Sequence, residues 1–118
     1  MRIYISGPIT GTDGYMENFD EAERYLMDVF PEAQIMNPAR INIFMPGDFT
    51  HDEYMEMSLK ELSMCDAIFM LSGWRQSAGA CMEFGYAYAK RMSFITDGRG
   101  NTVTNEIPVE EFDSQNAE

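Results

Sequence analysis

The run AIFML at 67–71 constrains this chain more than any other feature. Five apolar residues in succession leave no face for water, so a strand built from them has to be covered on both sides. Such a strand needs two layers of helix, and the neighbouring sequence supplies them. Three other short strand-like runs, RIYIS (2–6), AQIM (33–36) and SFIT (93–96), alternate with segments of helical period. Between 15 and 30, Phe19, Ala22, Leu26, Val29 and Phe30 recur at helical spacing, and Pro31 closes the segment. Between 52 and 64, Tyr54, Met55, Met57, Leu59, Leu62 and Met64 form a broad apolar surface. Thr50 and Glu53 stand in front of it in a capping-box pattern. A third helix is predicted over 80–91, with Ser77 placed to cap it.

The order strand, helix, strand, helix, strand, helix, strand predicts a parallel sheet with helices on both faces, within one domain spanning 1–118. In such sheets ligands bind beyond the carboxyl ends of the strands, where the strand order switches direction. The remaining segments read as connections. GPITGTDG (7–14) is a glycine-rich loop. NPARINIFMPGDFT (37–50) has no clear period and reads as an irregular loop with room for a short helical piece. NEIPVEEF (105–112) offers a last strand or a helix start at Pro108, and 107–118 reads as a loosely ordered tail.

The net charge is −12, from 8 Lys and Arg against 20 Asp and Glu, which excludes a general nucleic-acid surface. It leaves room for one small phosphorylated ligand held by backbone N–H groups, which need no net positive charge. Cys65 and Cys81 are expected to be buried thiols in a reducing compartment rather than a disulfide. The chain opens directly into a strand without a signal-peptide pattern, and no apolar run approaches the ~20 residues of a membrane span. The expectation is a cytoplasmic protein with no membrane partner.

SAGACMEFGYAYA (77–89) contains one charge, Glu83, among Gly, Ala, Cys, Met, Phe and Tyr. A carboxylate in apolar surroundings is costly unless it is paired or hydrogen-bonded. Gly79 lies four residues earlier, on the same helix face, and leaves space before the carboxylate. Two readings fit: a nucleophile or base at the wall of a pocket, or a structural carboxylate held by N–H groups or Arg75. Two loops leave carboxyl ends of strands. SGPITG follows the first strand and SGWRQSAG follows AIFML; each is either a ligand cradle or a tight turn. Trp74 is an aromatic wall for a base or a piece of local packing. His51, the single histidine, reads as a helix-start residue. Asp48 and Asp52 flank it without the further ligands a metal would need, so no metal and no cofactor are expected.

IYISGPITG, CDAIFMLSGW and the pattern S-x-G-x-x-x-E-x-G-x-A at 77–87 resemble the nucleoside 2-deoxyribosyltransferase superfamily. The likeness spans residues 2–96 and lies nearest a short branch related to the deoxynucleoside 5′-monophosphate N-glycosidases. It implies a flavodoxin-like or Rossmann-like three-layer α/β fold with a parallel sheet of four to five strands. It also implies cleavage of the N-glycosidic bond of a nucleoside or its 5′-monophosphate, followed by hydrolysis or transfer to another base. The position of Glu83 matches the family nucleophile, and Tyr4 matches a strand-one tyrosine of the catalytic pocket. Gly7, Pro8, Ile9, Thr10 and Gly11 fall in the loop near base and sugar, with Trp74, Ser77 and Gly79 across the site. Ser77 stands where the transferases carry an acid and the monophosphate N-glycosidases a serine, which favours a phosphate-bearing substrate. Ser58 departs from the pattern, because both groups carry an aspartate there. Glu61, Asp52 or Glu56 are the acids near enough to substitute; without a substitute, the alternative is a non-catalytic nucleotide-binding module. Apolar helices on so short a chain, and family pockets completed by a neighbour, imply a homodimer or higher homo-oligomer.

Overall fold

The computed structural model describes residues 1–95 and 103–104. Strand β1 (Arg2–Ser6) leads through the glycine-rich loop into α1 (Tyr15–Val29), then β2 (Gln34–Met36) and a short helix α2 (Pro38–Asn42). Helix α3 (His51–Ser63), β3 (Ala67–Met70), a single 3₁₀ turn (Trp74–Gln76) and α4 (Ala78–Ala89) follow. Strand β4 (Ser93–Ile95) and a two-residue strand β5 (Val103–Thr104) complete the sheet. The strand order is β2-β1-β3-β4-β5; the first four are parallel and β5 runs antiparallel to β4. This is the predicted α/β fold.

Strand alternation sorts the side chains into two cores. Ile3, Ile5, Ala67 and Phe69 face one side and meet Phe19, Ala22 and Leu26 of α1 and Ala39 of α2. Tyr4, Ile68 and Phe94 face the other and meet Leu62 of α3 and Ala87 of α4. AIFML thus feeds both cores, as a strand covered on both faces must. The chain passes from β1 to β2 on one side, then to β3 on the other. The direction of winding therefore reverses between β1 and β3, and their carboxyl ends open the crevice in which ligands bind in this architecture.

Several local expectations shift. Part of the 37–50 loop is helical: Asn37 Oδ1 accepts from Ala39 N at 3.1 Å and Pro38 opens α2. The Asn37 side-chain amide also donates to Asp20 and Glu23 of α1, at 3.2 and 2.9 Å, which ties α2 to that helix. Strand β5 lies where no strand was expected, because two residues carry no readable period; NEIPVEEF lies outside the described residues. Cys81 is exposed and Cys65 half-buried, so the thiols are not both in the core. Helix α4 is apolar on nearly every face, and such a pattern does not say which face is covered.

Helix α3 starts as predicted. Thr50 Oγ1 accepts from Glu53 N at 3.1 Å, and Glu53 Oε1 accepts from Thr50 N at 2.8 Å. This box fixes the start of the helix that carries Met55 and Ser58 into the interior. Thr50→Ala should cost about 1 kcal/mol of stability, read as a lower urea midpoint with an unchanged slope.

Candidate active site

Tyr4 and Ser6 are two residues apart on β1, so both project to the side covered by α3 and α4. There they meet Glu83, in the second turn of α4. Tyr4 Oη donates to Glu83 Oε2 at 2.8 Å and Ser6 Oγ donates to Oε1 at 2.6 Å. Ser58 of α3 lies near both groups and acts to lower the pKa of each. Glu83 is 7% exposed. Burial raises its pKa, and the three hydroxyls, led by Ser6, pull against that rise without cancelling it. Burial and the neighbouring Glu83 push the Tyr4 phenol well above its ordinary value, so Tyr4 serves as a donor and not a base.

In front of Glu83 lies a cavity of about 490 Å³, large enough for a small organic ligand. Gly7, Ile9 and Thr10 of the first loop line it, with Pro38 and Asn42 from α2 and Tyr54, Met55 and Ser58 from α3. Gln76, Ser77, Ala78 and Gly79 bring the amino end of α4 to its wall. Ser77 Oγ accepts from Ala80 N at 3.2 Å as the helix cap, which leaves its O–H free to donate.

Tyr4, Gly7, Ile9, Thr10, Ser77, Gly79 and Glu83 therefore converge on one space, and three sequence candidates do not line it. Trp74 stacks on Phe84 at 4.5 Å between ring centres, and the Arg75 guanidinium lies 4.6 Å from the centre of the Trp74 ring. Pro8 is half-buried near Gly73, where the two strand-end loops approach each other. Gly11 is exposed and is glycine because its φ of 71° lies in the left-handed region. Gly7 has a packing reason: an added Cβ would sit 2.8 Å from Leu71 Cβ. At Gly79 an added Cβ would meet Met55 Sδ at 3.1 Å, so this glycine lets α3 and α4 close around the cavity. Hydroxyls, not Arg75 or backbone N–H groups, satisfy Glu83. His51 lies exposed at the cavity rim.

Sequence reasoning missed Ser6, whose signal was its parity with Tyr4 on one strand face. It missed the burial of Glu61, which sits one turn beyond Ser58 and is 7% exposed. Burial, and secondly the charge of Glu83, push Glu61 up to about 7, whereas Asp52 and Glu56 are exposed. No group of three or more His, Cys, Asp or Glu among the described residues could hold a metal ion, and no helix there is long and apolar enough to cross a membrane.

The profile of a domain of unknown function, DUF4406, matches residues 1–96. The chain belongs to the DUF4406 family. Among solved structures, this DUF4406 protein is similar to a 2-deoxyribosyltransferase from Bacillus psychrosaccharolyticus. The TM-score is 0.64 at 15% identity, covering 81% of this chain and 71% of the other. It is also similar to a conserved protein from Enterococcus faecalis V583, with a TM-score of 0.64 at 19% identity, covering 98% and 74%. At these identities the likeness is one of fold. No curated protein matches the DUF4406 chain.

The raised pKa of Glu61 has a thermodynamic consequence. The folded chain retains a proton that the unfolded chain releases near the ordinary value of 4.5. The stability this group contributes is therefore greatest below about 4.5 and declines as pH rises toward about 7. Glu83 acts in the same direction. Thermal melts from about pH 5 to about pH 8 should show a falling Tm. Glu61→Gln should flatten that fall.

Proposed function

We propose that this DUF4406 protein cleaves the N-glycosidic bond of a nucleoside or nucleoside 5′-monophosphate, with Glu83 as the nucleophile. The observation that carries this reading is a buried carboxylate, held by Tyr4 and Ser6, at the wall of a cavity of nucleoside size. Its place at the switch point of a sheet shared in fold with a 2-deoxyribosyltransferase supports it.

The chemistry follows from the donor set. Glu83 attacks C1′ and forms a glycosyl ester as the C1′–N bond breaks. The bond pair leaves on the base nitrogen, which takes up a proton. Water, or a second base, then attacks C1′ and returns Glu83 to its carboxylate. Tyr4 and Ser6 fix the plane of the carboxylate, one on each oxygen, which reduces the orientational search before attack.

The phosphate preference rests on the amino end of α4. Ser77 supplies a neutral hydroxyl, and the first N–H groups of a helix favour an anion by about 0.3–1 kcal/mol. Arg75 is stacked over Trp74 and is not needed for this reading. Self-association belongs to the same reading: α4 leaves Met82 and Tyr88 exposed on an uncharged outer face, which suits a homodimer. Light scattering should give a mass above that of one 13.5 kDa chain; a monomer at micromolar concentrations would remove the dimer.

Base release from a panel of nucleosides and their 5′-monophosphates, followed by chromatography, tests the activity. Glu83→Ala should abolish release while circular dichroism shows the fold retained. Ser77→Asp should lose the monophosphates selectively. No release from any member of the panel by the wild type would leave a nucleotide-binding module as the function. Equal use of both substrate classes, unchanged by Ser77→Asp, would remove the phosphate preference alone.

A further inference from the structure

Helix α3 buries two polar side chains, Ser58 and Glu61, three positions apart and so on one face. Ser58 lines the cavity; Glu61 does not, and its Oε1 is buried with no hydrogen-bond partner. Two buried carboxyls, Glu61 and Glu83, thus lie on helices that pack against each other, each 7% exposed, and the charge of Glu83 acts on Glu61. Such a pair does not readily carry two charges, and its protons belong to the pair.

The hydroxyls decide where the charge rests. Tyr4 and Ser6 both donate to Glu83, and donors of this kind stabilise a carboxylate anion; the nearby Ser58 acts in the same direction. Glu61 Oε1 receives none. The titratable groups that act on this region are Glu83 from α4, Tyr4 from β1 and Cys65 from the turn after α3, with Arg2 and Asp66 acting on Cys65; no cation acts on either carboxyl. Neither carboxyl has an ion-pair partner among the described residues, where the ion pairs are those of Arg40 with Asp20 and Glu23.

We propose that Glu61 is a positioning residue: it holds the one proton of a buried carboxyl pair and so leaves Glu83 as the anion that faces the cavity. The functional value of this arrangement rests on the nucleophile reading of Glu83. Below about pH 7 the pair then carries a single charge, placed on the carboxylate that attacks. When Glu83 becomes an ester its charge is gone, and Glu61 becomes easier to ionise. When the ester is hydrolysed the charge returns, and Glu61 again holds its proton more tightly. As pH rises past about 7, Glu61 ionises and the pair becomes a dianion.

The test is a carbon-detected NMR titration of the full chain labelled at the glutamate side-chain carboxyls. The two resonances are assigned by their loss in Glu61→Gln and Glu83→Gln. Through-bond correlation to the backbone in the wild type keeps the order readable if either variant does not fold. Glu83 should ionise first and Glu61 second, near pH 7. In Glu83→Gln, Glu61 should titrate lower by on the order of one pH unit, because the charge beside it is gone. In Glu61→Gln, the Glu83 midpoint should barely move, since Glu61 is neutral while Glu83 ionises. Glu61 ionising first, or a Glu83 midpoint that drops in Glu61→Gln while Glu61 stays put in Glu83→Gln, would overturn the proposal. The titration needs no substrate. Absence of base release would therefore sink the nucleophile reading and leave the proton order standing, whereas a reversed order with base release intact would sink the proton order alone.

Discussion

Glu83 enters the interior with a hydroxyl on each oxygen, Tyr4 Oη on one and Ser6 Oγ on the other. That pair of bonds depends on the arrangement around it. It needs two even-numbered side chains of β1 on the face that α4 covers, and it needs α4 close enough to reach them. Gly79 and Met55 set that closeness, because a side chain at 79 would press on the Met55 sulfur. A buried carboxylate stripped of such donors bears the full desolvation cost, commonly several kcal/mol for a charged group. The donors thus make a site of what would otherwise be a defect in the core.

The cavity takes its position from topology. The chain winds outward from β1 to β2, then crosses to β3, and the loops after β1 and β3 part at their carboxyl ends. Gly7 packs against Leu71 there, so the two loops are braced on each other before any ligand arrives. The amino end of α4 reaches the same space, with Ser77 capping the helix and lining the cavity. A scaffold shared with a 2-deoxyribosyltransferase and a conserved bacterial protein supplies this crevice; the chemistry belongs to the side chains set into it.

Much of the architecture was legible in one dimension. AIFML required two covering layers, and the alternation of short apolar runs with helical periods required a parallel sheet. Thr50 and Glu53 marked a helix start because a capping box is a local device that closes within three residues. Glu83 stood out because a single charge in an apolar stretch demands a reason. The segments read less well were those without a period: α2, held by Asn37 against α1, and β5, two residues long.

The sequence by itself determined the layers, their order and the residue around which the site is built, since periodicity and composition act locally along the chain. Only the tertiary structure decided what that residue touches. The partners of Glu83 are 77 and 79 positions away, on a strand whose face is set by its pairing with β3. The same folding stacked Trp74 on Phe84, outside the cavity lining, and buried Glu61 where the charge of Glu83 acts on it. These outcomes depend on how helices pack against a sheet, and helical spacing alone does not determine which neighbour fills the space beside a given side chain.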